Sequence, residues 1–371
     1  MKNKNDTYKP DWTPKNAGEE FAVRVVKGVQ KISDTKINSA KTKNHEVEDL
    51  VKGVLTNDRV LLAKTITLVE SNARAHFEKA QSVLHKLLPH SGNSIRIGIS
   101  GVPGAGKSTL IESLGMYLIE HGHKVAVLTI DPSSSITKGS ILGDKTRMEK
   151  LSREDNCFIR PSPSGGTLGG VTRKSRETII VCEAAGYDII LIETVGVGQS
   201  EITVRSMVDF FLLVQLAGAG DELQGIKKGV IEIADAIVVN KADGNNLQKA
   251  NIARSEFANV LHYLKPVTEG WQTRAFVSSA ITGQGTADIW KVMQRFVEIT
   301  RASGVFEKRR TEQKIEWTFR MIEDELKDSF YNKEIIKNEI PRLKLDIEKG
   351  NILPTTAAGK LLKLFNSNSS I

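Results

Sequence analysis

Cysteine is scarce in this chain, which has 371 residues and only two cysteines, Cys157 and Cys182. They stand far apart, with no Cys-x-x-Cys or Cys/His spacing, so the sequence indicates neither a disulfide framework nor a zinc site. The seven histidines are scattered and form no ligand set. Both cysteines lie in or beside apolar runs, which predicts buried thiols in a reducing compartment.

Long hydrophobic runs are also missing, since no apolar stretch reaches the length that spans a bilayer. The first residues, Met1–Pro10, contain no apolar signal core and include an acid. The net charge of +8 is modest for this length, and Lys and Arg are interspersed with Glu and Asp. This favours a solvated surface over a nucleic-acid-binding one. We therefore expect a cytoplasmic protein that binds neither a membrane nor nucleic acid.

What the chain does contain is enough apolar sequence, 40% of its residues, for one sizeable α/β core with appended helices. For residues 1–92 the sequence predicts a polar tail followed by a helical segment. Within the tail, only Phe21–Val29 has apolar residues at helical spacing. Residues 93–301 alternate between apolar runs and helical patterns, and residues 302–371 are predicted to be helical. Seven apolar runs predict strands: Ile95–Ile99, Lys124–Ile130, Cys157–Arg160, Asp188–Glu193, Phe210–Leu216, Ala236–Asn240 and Ala275–Ser279.

The most specific motif is a glycine-rich loop between the first of these strands and a helix. Gly101, Gly104 and Gly106 let the backbone N–H groups converge on one point, as phosphate binding requires. Lys107 places a positive charge for the β- and γ-phosphates, and Ser108 supplies a hydroxyl for Mg²⁺. The residues expected to surround the phosphates are Gly101, Val102, Pro103, Gly104, Ala105, Gly106, Lys107, Ser108 and Thr109.

A second motif, Asn240-Lys241-Ala242-Asp243, follows a later strand and predicts specificity for guanine. A carboxylate at Asp243 can accept from both N1–H and the exocyclic amine of guanine, whereas adenine offers no such pair of donors. The Lys241 stem can lie on the purine, and Asn240 can tie this loop to the phosphate loop. After the last strand, Ser279 and Ala280 are placed where a backbone N–H would meet the guanine O6.

An acid closes the strand expected beside the phosphate loop. Glu193 ends a run of apolar residues, where a charged side chain needs a partner such as a metal ion. Gly196 follows, in position to sense the γ-phosphate through its amide. Most GTPases have Asp in the place of Glu193.

Two further acids flank a loop of small residues. Asp131, at a strand end, is the better Mg²⁺ ligand, while for Asp144 a salt bridge with Lys145 or Arg147 is an equal alternative. Gln199 is expected to orient the attacking water, with helix capping or solvent exposure as the alternative. We expect Lys107, Glu193 and Gln199 to act in hydrolysis, and Ser108, Asp131, Asp144 and Glu193 to hold Mg²⁺.

Several long loops together resemble one family. They read G-V-P-G-A-G-K-S-T, D-P-S-S-S, G-S-I-L-G-D-K-T-R-M, R-P-S-P-S-G-G-T-L-G-G-V, E-T-V-G-V-G-Q-S-E and V-N-K-A-D. This set is similar to the MeaB/ArgK family, P-loop GTPases of the SIMIBI class that are associated with methylmalonyl-CoA mutase. The resemblance implies an α/β P-loop NTPase fold with a mostly parallel central sheet flanked by helices, plus helical N- and C-terminal extensions.

The resemblance also implies a function. Family members are GTPase chaperones of an adenosylcobalamin-dependent acyl-CoA mutase, which gate cofactor loading and protect or reactivate the mutase. They bind GTP, GDP and Mg²⁺, and are usually homodimers joined through C-terminal helices. Intrinsic hydrolysis should be slow and rise with the partner. The loop with Asp221, Glu222 and Lys227 resembles the switch that contacts the mutase; its glycine-rich sequence at a strand end otherwise fits an ordinary connection.

Three alternatives remain at this stage. A metal-inserting GTPase would need a Cys/His cluster near the nucleotide loops. A kinase or accessory ATPase of a basic amino-acid transport system would use ATP, against which Asp243 argues. A signal-recognition-type GTPase would need a Met-rich or strongly basic RNA-binding module, and the composition supplies none.

Overall fold

The computed structural model describes residues 7–8, 23–24, 45–130, 148–161, 168–194, 200–217 and 228–367. The chain divides into two units, Met1–His45 and Glu46–Ile371. In the first unit, β1 (Thr7–Tyr8) pairs antiparallel with β2 (Val23–Arg24). The helical prediction for Phe21–Val29 was therefore wrong at β2, where the backbone is extended because it pairs with β1 and Val suits a strand.

A seven-stranded sheet forms the centre of the second unit, in the order β5-β4-β6-β3-β7-β8-β9. Every neighbouring pair is parallel. The strands are β3 (Ile95–Gly101), β4 (Val125–Ile130), β5 (Cys157–Pro161), β6 (Ile189–Thr194), β7 (Phe210–Leu216), β8 (Ala236–Asn240) and β9 (Arg274–Val277). All seven predicted strands are confirmed; two have the predicted bounds, and the bounds of the other five differ by one or two residues. Both faces of the sheet are covered, which explains the continuous apolar runs.

Helices lie on both faces of this sheet and continue to the end of the described chain. Among the described residues of the second unit, the α-helices are α1 (Val47–Leu55), α2 (Arg59–Val69), α3 (Arg74–Leu87), α4 (Lys107–Glu120), α5 (Glu149–Ser152), α6 (Leu168–Ala184), α7 (Ser200–Arg205), α8 (Lys228–Glu232), α9 (Leu247–Tyr263), α10 (Thr286–Ala302), α11 (Val305–Asn332), α12 (Glu334–Glu348) and α13 (Pro354–Ser367). None of the helices among the described residues is both long and apolar enough to cross a membrane.

The core consists of two apolar clusters, one on each face of the sheet, because successive strand residues point to opposite faces. Ile190 and Phe211 belong to the cluster that packs against α1, α2, α3, α6 and α9. Leu191 and Phe210 belong to the other cluster, which packs against α4, α10 and the start of α11. The helical segments before and after the α/β region therefore share the two cores of the sheet.

The carboxyl ends of the parallel strands meet at one edge of the sheet, and this edge carries the predicted motifs. β3 ends at Gly101, β6 at Thr194 and β8 at Asn240. Open parallel sheets bind ligands at this edge.

At the opposite, amino-terminal edge, charged residues attach α11 to the sheet. The Asp209 carboxylate accepts from the Arg96 backbone N–H at 2.8 Å and from Arg310 Nη2 at 2.6 Å. Arg310 also donates to the Ser94 carbonyl at 2.6 Å. Both Asp209 and Arg310 are largely withdrawn from solvent, so this ion pair fixes the start of α11 against β3 and β7.

The two cysteines are buried and free, as the sequence predicts. Burial raises the pKa of the Cys157 thiol to about 12, and it raises the pKa of the Cys182 thiol as well. Both thiols are therefore protonated and unreactive in the folded chain at neutral pH.

Candidate nucleotide site

The glycine-rich loop begins where β3 ends, and its glycines are required by close backbone contacts. Gly101 has φ +152°, and a Cβ built there would lie 2.0 Å from the Val214 carbonyl oxygen on β7. Gly106 has φ +82°, and a Cβ there would lie 2.7 Å from Asn240 Nδ2. Any side chain at these positions would displace the neighbouring strand or loop, so the sequence can form this loop only with glycine.

Helix α4 follows this loop directly, and its first residue, Lys107, is buried. Lys107 Nζ donates to the Gly101 carbonyl at 3.0 Å and to the Val102 carbonyl at 3.2 Å. The N-cap residue is Gly106, which has no side chain to satisfy the first N–H groups of the helix. The loop therefore combines a lysine folded back over it with helix N–H groups, a combination suited to phosphate.

A hydroxyl and a carboxylate meet beside this loop. Ser108 Oγ donates to Glu193 Oε1 at 2.8 Å, and Glu193 is buried at the end of β6. Hydroxyl and carboxylate oxygens are the ligands that Mg²⁺ prefers, so this pair fits an Mg²⁺ site with the phosphates as further ligands. Glu193 thus has a specific partner rather than being a solvent-facing acid.

Sequence reasoning missed a second pair at the same edge. Thr194 Oγ1 donates to Ser100 Oγ at 2.8 Å, and both side chains are fully buried. This bond links the ends of β3 and β6, directly behind the phosphate loop. The sequence shows a small hydroxyl residue at the end of β3 and of β6, but only the parallel pairing of these two strands shows that the two residues meet.

The base loop contacts the phosphate loop through one amide side chain. Asn240 Nδ2 donates to the Ala105 carbonyl at 2.8 Å, and Asn240 Oδ1 accepts from the Ala280 N–H at 3.2 Å. Asn240 is buried. One side chain therefore joins three loops from different parts of the sequence. The motif predicts the contact with the phosphate loop, whereas the contact with the Ala280 loop was not predicted.

The remaining base-loop residues lie around Asn240. Ser279 Oγ donates to Asp243 Oδ2 at 2.6 Å, which fixes the orientation of this carboxylate. Lys241 has φ +61°, an uncommon conformation for a residue with a side chain, and its carbonyl accepts from Asn246 Nδ2 at 2.7 Å. Asn246 is a further residue that sequence reasoning missed. An uncommon backbone conformation like that of Lys241 is typical of functional sites.

Seven of the predicted site residues lie outside the described part of the chain. They are Asp131, Asp144, Gly196, Gln199, Asp221, Glu222 and Lys227. Within the described part, no group of three or more His, Cys, Asp or Glu side chains could hold a metal ion. An Mg²⁺ ion at Ser108 and Glu193 would therefore need phosphate oxygens, water or other residues to complete its shell.

The strand, glycine loop and helix, set in a parallel sheet with helices on both faces, define a P-loop nucleoside triphosphatase. The model of the family described as methylmalonyl-CoA mutase-associated GTPase MeaB matches residues 62–335. The chain belongs to this family of GTPases, which confirms the resemblance seen in the sequence.

Relatives and a solved structure agree with this assignment. The chain is 48% identical over 320 residues to the probable GTPase Rv1496 of Mycobacterium tuberculosis. This alignment covers 86% of this chain and 95% of the relative. The chain is also 44% identical over 332 residues to the mitochondrial methylmalonic aciduria type A homolog of Mus musculus. That alignment covers 86% of this chain and 80% of the relative. A crystal structure titled LAO/AO transport system kinase is 36% identical, with a TM-score of 0.70, covering 86% of this chain and 97% of that one.

Proposed function

We propose that this protein is a GTP-hydrolysing chaperone that binds an adenosylcobalamin-dependent methylmalonyl-CoA mutase or a related acyl-CoA mutase. In this role it gates cofactor loading and protects or reactivates the mutase. The nucleotide-binding part of this proposal is carried by one observation: the Asn240 side chain forms hydrogen bonds with both the phosphate loop and the loop of Ala280. Family membership carries the link to the mutase.

In this proposal, the residues at the end of β3 and the start of α4 bind the triphosphate. The backbone N–H groups of Gly101–Thr109, except at Pro103, which has none, surround the phosphates. Lys107 exchanges its two carbonyl acceptors for phosphate oxygens. This exchange costs little because the lysine is already desolvated and held over the loop. Mg²⁺ bound by Ser108 and Glu193 would neutralise charge on the β- and γ-phosphates.

The base is selected by the loop that follows β8. Asp243 accepts two hydrogen bonds from guanine, and its orientation is set beforehand by Ser279. An adenine base would cover this carboxylate without offering it the two donors that guanine has, which is the physical basis of the selectivity. The Ala280 loop, held by Asn240, then supplies backbone donors for the guanine O6.

The residues outside the described part are assigned by resemblance. We propose that Asp131 and Asp144 complete the Mg²⁺ site, that Gly196 senses the γ-phosphate, and that Gln199 orients water. For the loop with Asp221, Glu222 and Lys227 we propose contact with the mutase. Its position after β7 supports this, because the loop leaves the same edge of the sheet as the nucleotide loops.

A homodimer is proposed from an exposed apolar face of α11. Ile315, Phe319, Ile322 and Leu326 are each about half exposed or more. Their spacing of four, three and four residues places them on one face of the helix, in the pattern of a coiled-coil seam. Residues 302–371 would thus form the dimerisation segment. A cytoplasmic location is proposed on the buried free thiols, which fit a reducing compartment.

One alternative has a specific observation in its favour. The similar crystal structure is titled a transport system kinase. A kinase would use ATP and would need a phosphoacceptor site. Asp243 and its partner Ser279 argue for guanine instead. The metal-insertion alternative has no support among the described residues, where no Cys/His cluster occurs.

The test is a hydrolysis assay of the purified chain with GTP and ATP, alone and with an adenosylcobalamin-dependent acyl-CoA mutase. We expect slow hydrolysis of GTP alone and a faster rate when the mutase is present. A rate unchanged by the mutase would contradict the chaperone role but leave the GTPase intact. Preference for ATP would contradict the base assignment and favour the kinase.

A further inference from the structure

A cavity of about 830 Å³ lies at the amino-terminal edge of the sheet, between α6, the start of α11 and the turn after α3. Arg96, near the start of β3, is one of its lining residues. The phosphate loop begins five residues later at the other end of the same strand, about 16 Å away at the rise of a β-strand. The cavity is therefore separate from the nucleotide site.

Basic side chains dominate the lining of this cavity. The charged lining residues are Arg96, Arg176, Arg301, Arg310, Lys314 and Glu307. Two of the arginines are neutralised, because Arg96 pairs with Glu183 at 2.8 Å and Arg310 pairs with Asp209 at 2.6 Å. The other three cations form no ion pair with any residue that the structure describes. The lining thus has an excess of positive charge.

Arg176 is the most deeply placed of these cations, with 8% of its surface exposed. Its guanidinium donates to the carbonyl of Gln313 and to Ser206, while Nε has no hydrogen-bond partner among the described residues. Burial is the main cause that lowers the pKa of Arg176, to about 10, although Glu316 acts in the opposite direction. The side chain is still charged at neutral pH, so a buried cation with an unused donor lies against the cavity.

Two neighbours of Arg176 also have unused polar atoms. Gln313 is 7% exposed, and its Oε1 has no hydrogen-bond partner among the described residues. Trp317 Nε1 is buried and likewise has no hydrogen-bond partner there. Arg176 lies over the Trp317 ring at 5.6 Å. Unsatisfied buried polar atoms are costly, and a cluster of them facing a cavity is explained by a ligand or by ordered water.

We propose that this cavity binds a small molecule that carries two or more phosphate groups. Guanidinium groups pair with phosphate oxygens through two parallel hydrogen bonds, and several cations around one space favour a multiply charged anion. The volume lies in the range of small-molecule sites. Leu88, Ile179 and Met207 supply an apolar wall for the organic part of such a molecule. The proposal does not rest on GTP hydrolysis.

The probe is pyrophosphate, titrated by calorimetry into the full chain in two backgrounds. In the first, the nucleotide site is saturated with GDP; in the second, Lys107→Ala is used without nucleotide. Neither background then reports binding at the phosphate loop. We expect one binding event in both, weakened about tenfold by Lys314→Glu or by Arg301→Glu, since each change replaces a cation by an acid. Both residues are exposed, so the fold should be unaffected, which thermal unfolding checks.

Lys308→Glu is the matched control, because Lys308 is exposed on α11, the helix that also carries Lys314, but does not line the cavity. It should leave the affinity unchanged. An equal loss in this variant, or no binding in either background, would overturn the proposal. Citrate and inorganic phosphate are the comparison ligands, and both should bind more weakly than pyrophosphate. If citrate bound as tightly as pyrophosphate, the assignment of the ligand to phosphate compounds would be overturned. If an acidic peptide alone displaced pyrophosphate, the assignment of the ligand to small molecules would be overturned.

Discussion

Ser108 and Glu193 stand 85 positions apart in the chain, yet Ser108 Oγ donates to Glu193 Oε1 at 2.8 Å. The contact exists because β3 and β6 are parallel neighbours, with Ile99 opposite Glu193. Helix α4, which follows β3 and the phosphate loop, therefore supplies the hydroxyl, and the end of β6 supplies the acid. Among the described residues of the site, this pair offers the oxygen ligands that suit Mg²⁺.

Glu193→Gln should reduce GTP hydrolysis at least about tenfold and raise the Mg²⁺ concentration needed for half of the maximal rate, because the amide binds Mg²⁺ less strongly than the carboxylate. Affinity for GDP without Mg²⁺ should change little. The measurement is the hydrolysis rate against Mg²⁺ concentration. Glu298→Gln, an exposed acid on α10, is the control. An unchanged Mg²⁺ curve would remove Glu193 from the metal site.

Asp243→Asn should weaken GDP binding by about 100-fold, since hydrogen bonds to a charged group are among the stronger ones. The new amide should in turn favour xanthine, whose 2-oxo group accepts where guanine donates. Calorimetric titration with the diphosphates of both bases tests this. Asp288→Asn changes an exposed acid in the same way and should have no effect. If GDP binds the Asp243 variant as before, this carboxylate does not read the base.

Lys107→Ala should abolish detectable binding of GDP and GTP, because it removes the charge held over the phosphate loop. Calorimetry measures the loss, and thermal unfolding checks the fold. The exposed Lys249 on α9 provides the control, Lys249→Ala. Retained nucleotide affinity in the Lys107 variant would mean that the phosphates bind elsewhere.

Gly101→Ala should lower the free energy of unfolding by about 1–3 kcal/mol or more, since the new methyl would overlap the Val214 carbonyl. Gly359→Ala is the opposite case, because nothing lies within 4 Å of its Cβ position on α13. That change should raise the free energy of unfolding by about 0.5–1 kcal/mol. Denaturant titration measures both. Equal stability of the two variants would show that β3 and β7 are not held this closely.

Ile322→Glu should convert the proposed homodimer to a monomer, because it places a charge in the centre of the apolar face of α11. Sedimentation or light scattering at several protein concentrations reads the mass. Ile252→Glu tests an equally exposed isoleucine on α9 and should leave the mass unchanged. A wild-type chain that is monomeric at all concentrations would remove the homodimer from the proposal.

Local patterns were sufficient for the strands and for the nucleotide loops. Each buried strand is a continuous apolar run, and the phosphate loop needs glycine at positions that are adjacent in sequence. The contact of Asn240 with the phosphate loop was also predictable, since parallel strands bring their carboxyl ends together. The prediction of a helix at Phe21–Val29 was wrong at Val23–Arg24, because pairing with Thr7–Tyr8 outweighs a short helical pattern.

The amino acids alone thus established the class of fold and predicted the residues of the nucleotide site, because both depend on burial, on backbone conformation and on short spacings. The bond between Ser100 and Thr194, the attachment of α11 through Arg310 and Asp209, and the basic cavity around Arg176 emerged only from the folded chain. Each joins side chains far apart in sequence. Their meeting depends on how helices and strands pack, and no local pattern records which surfaces come together.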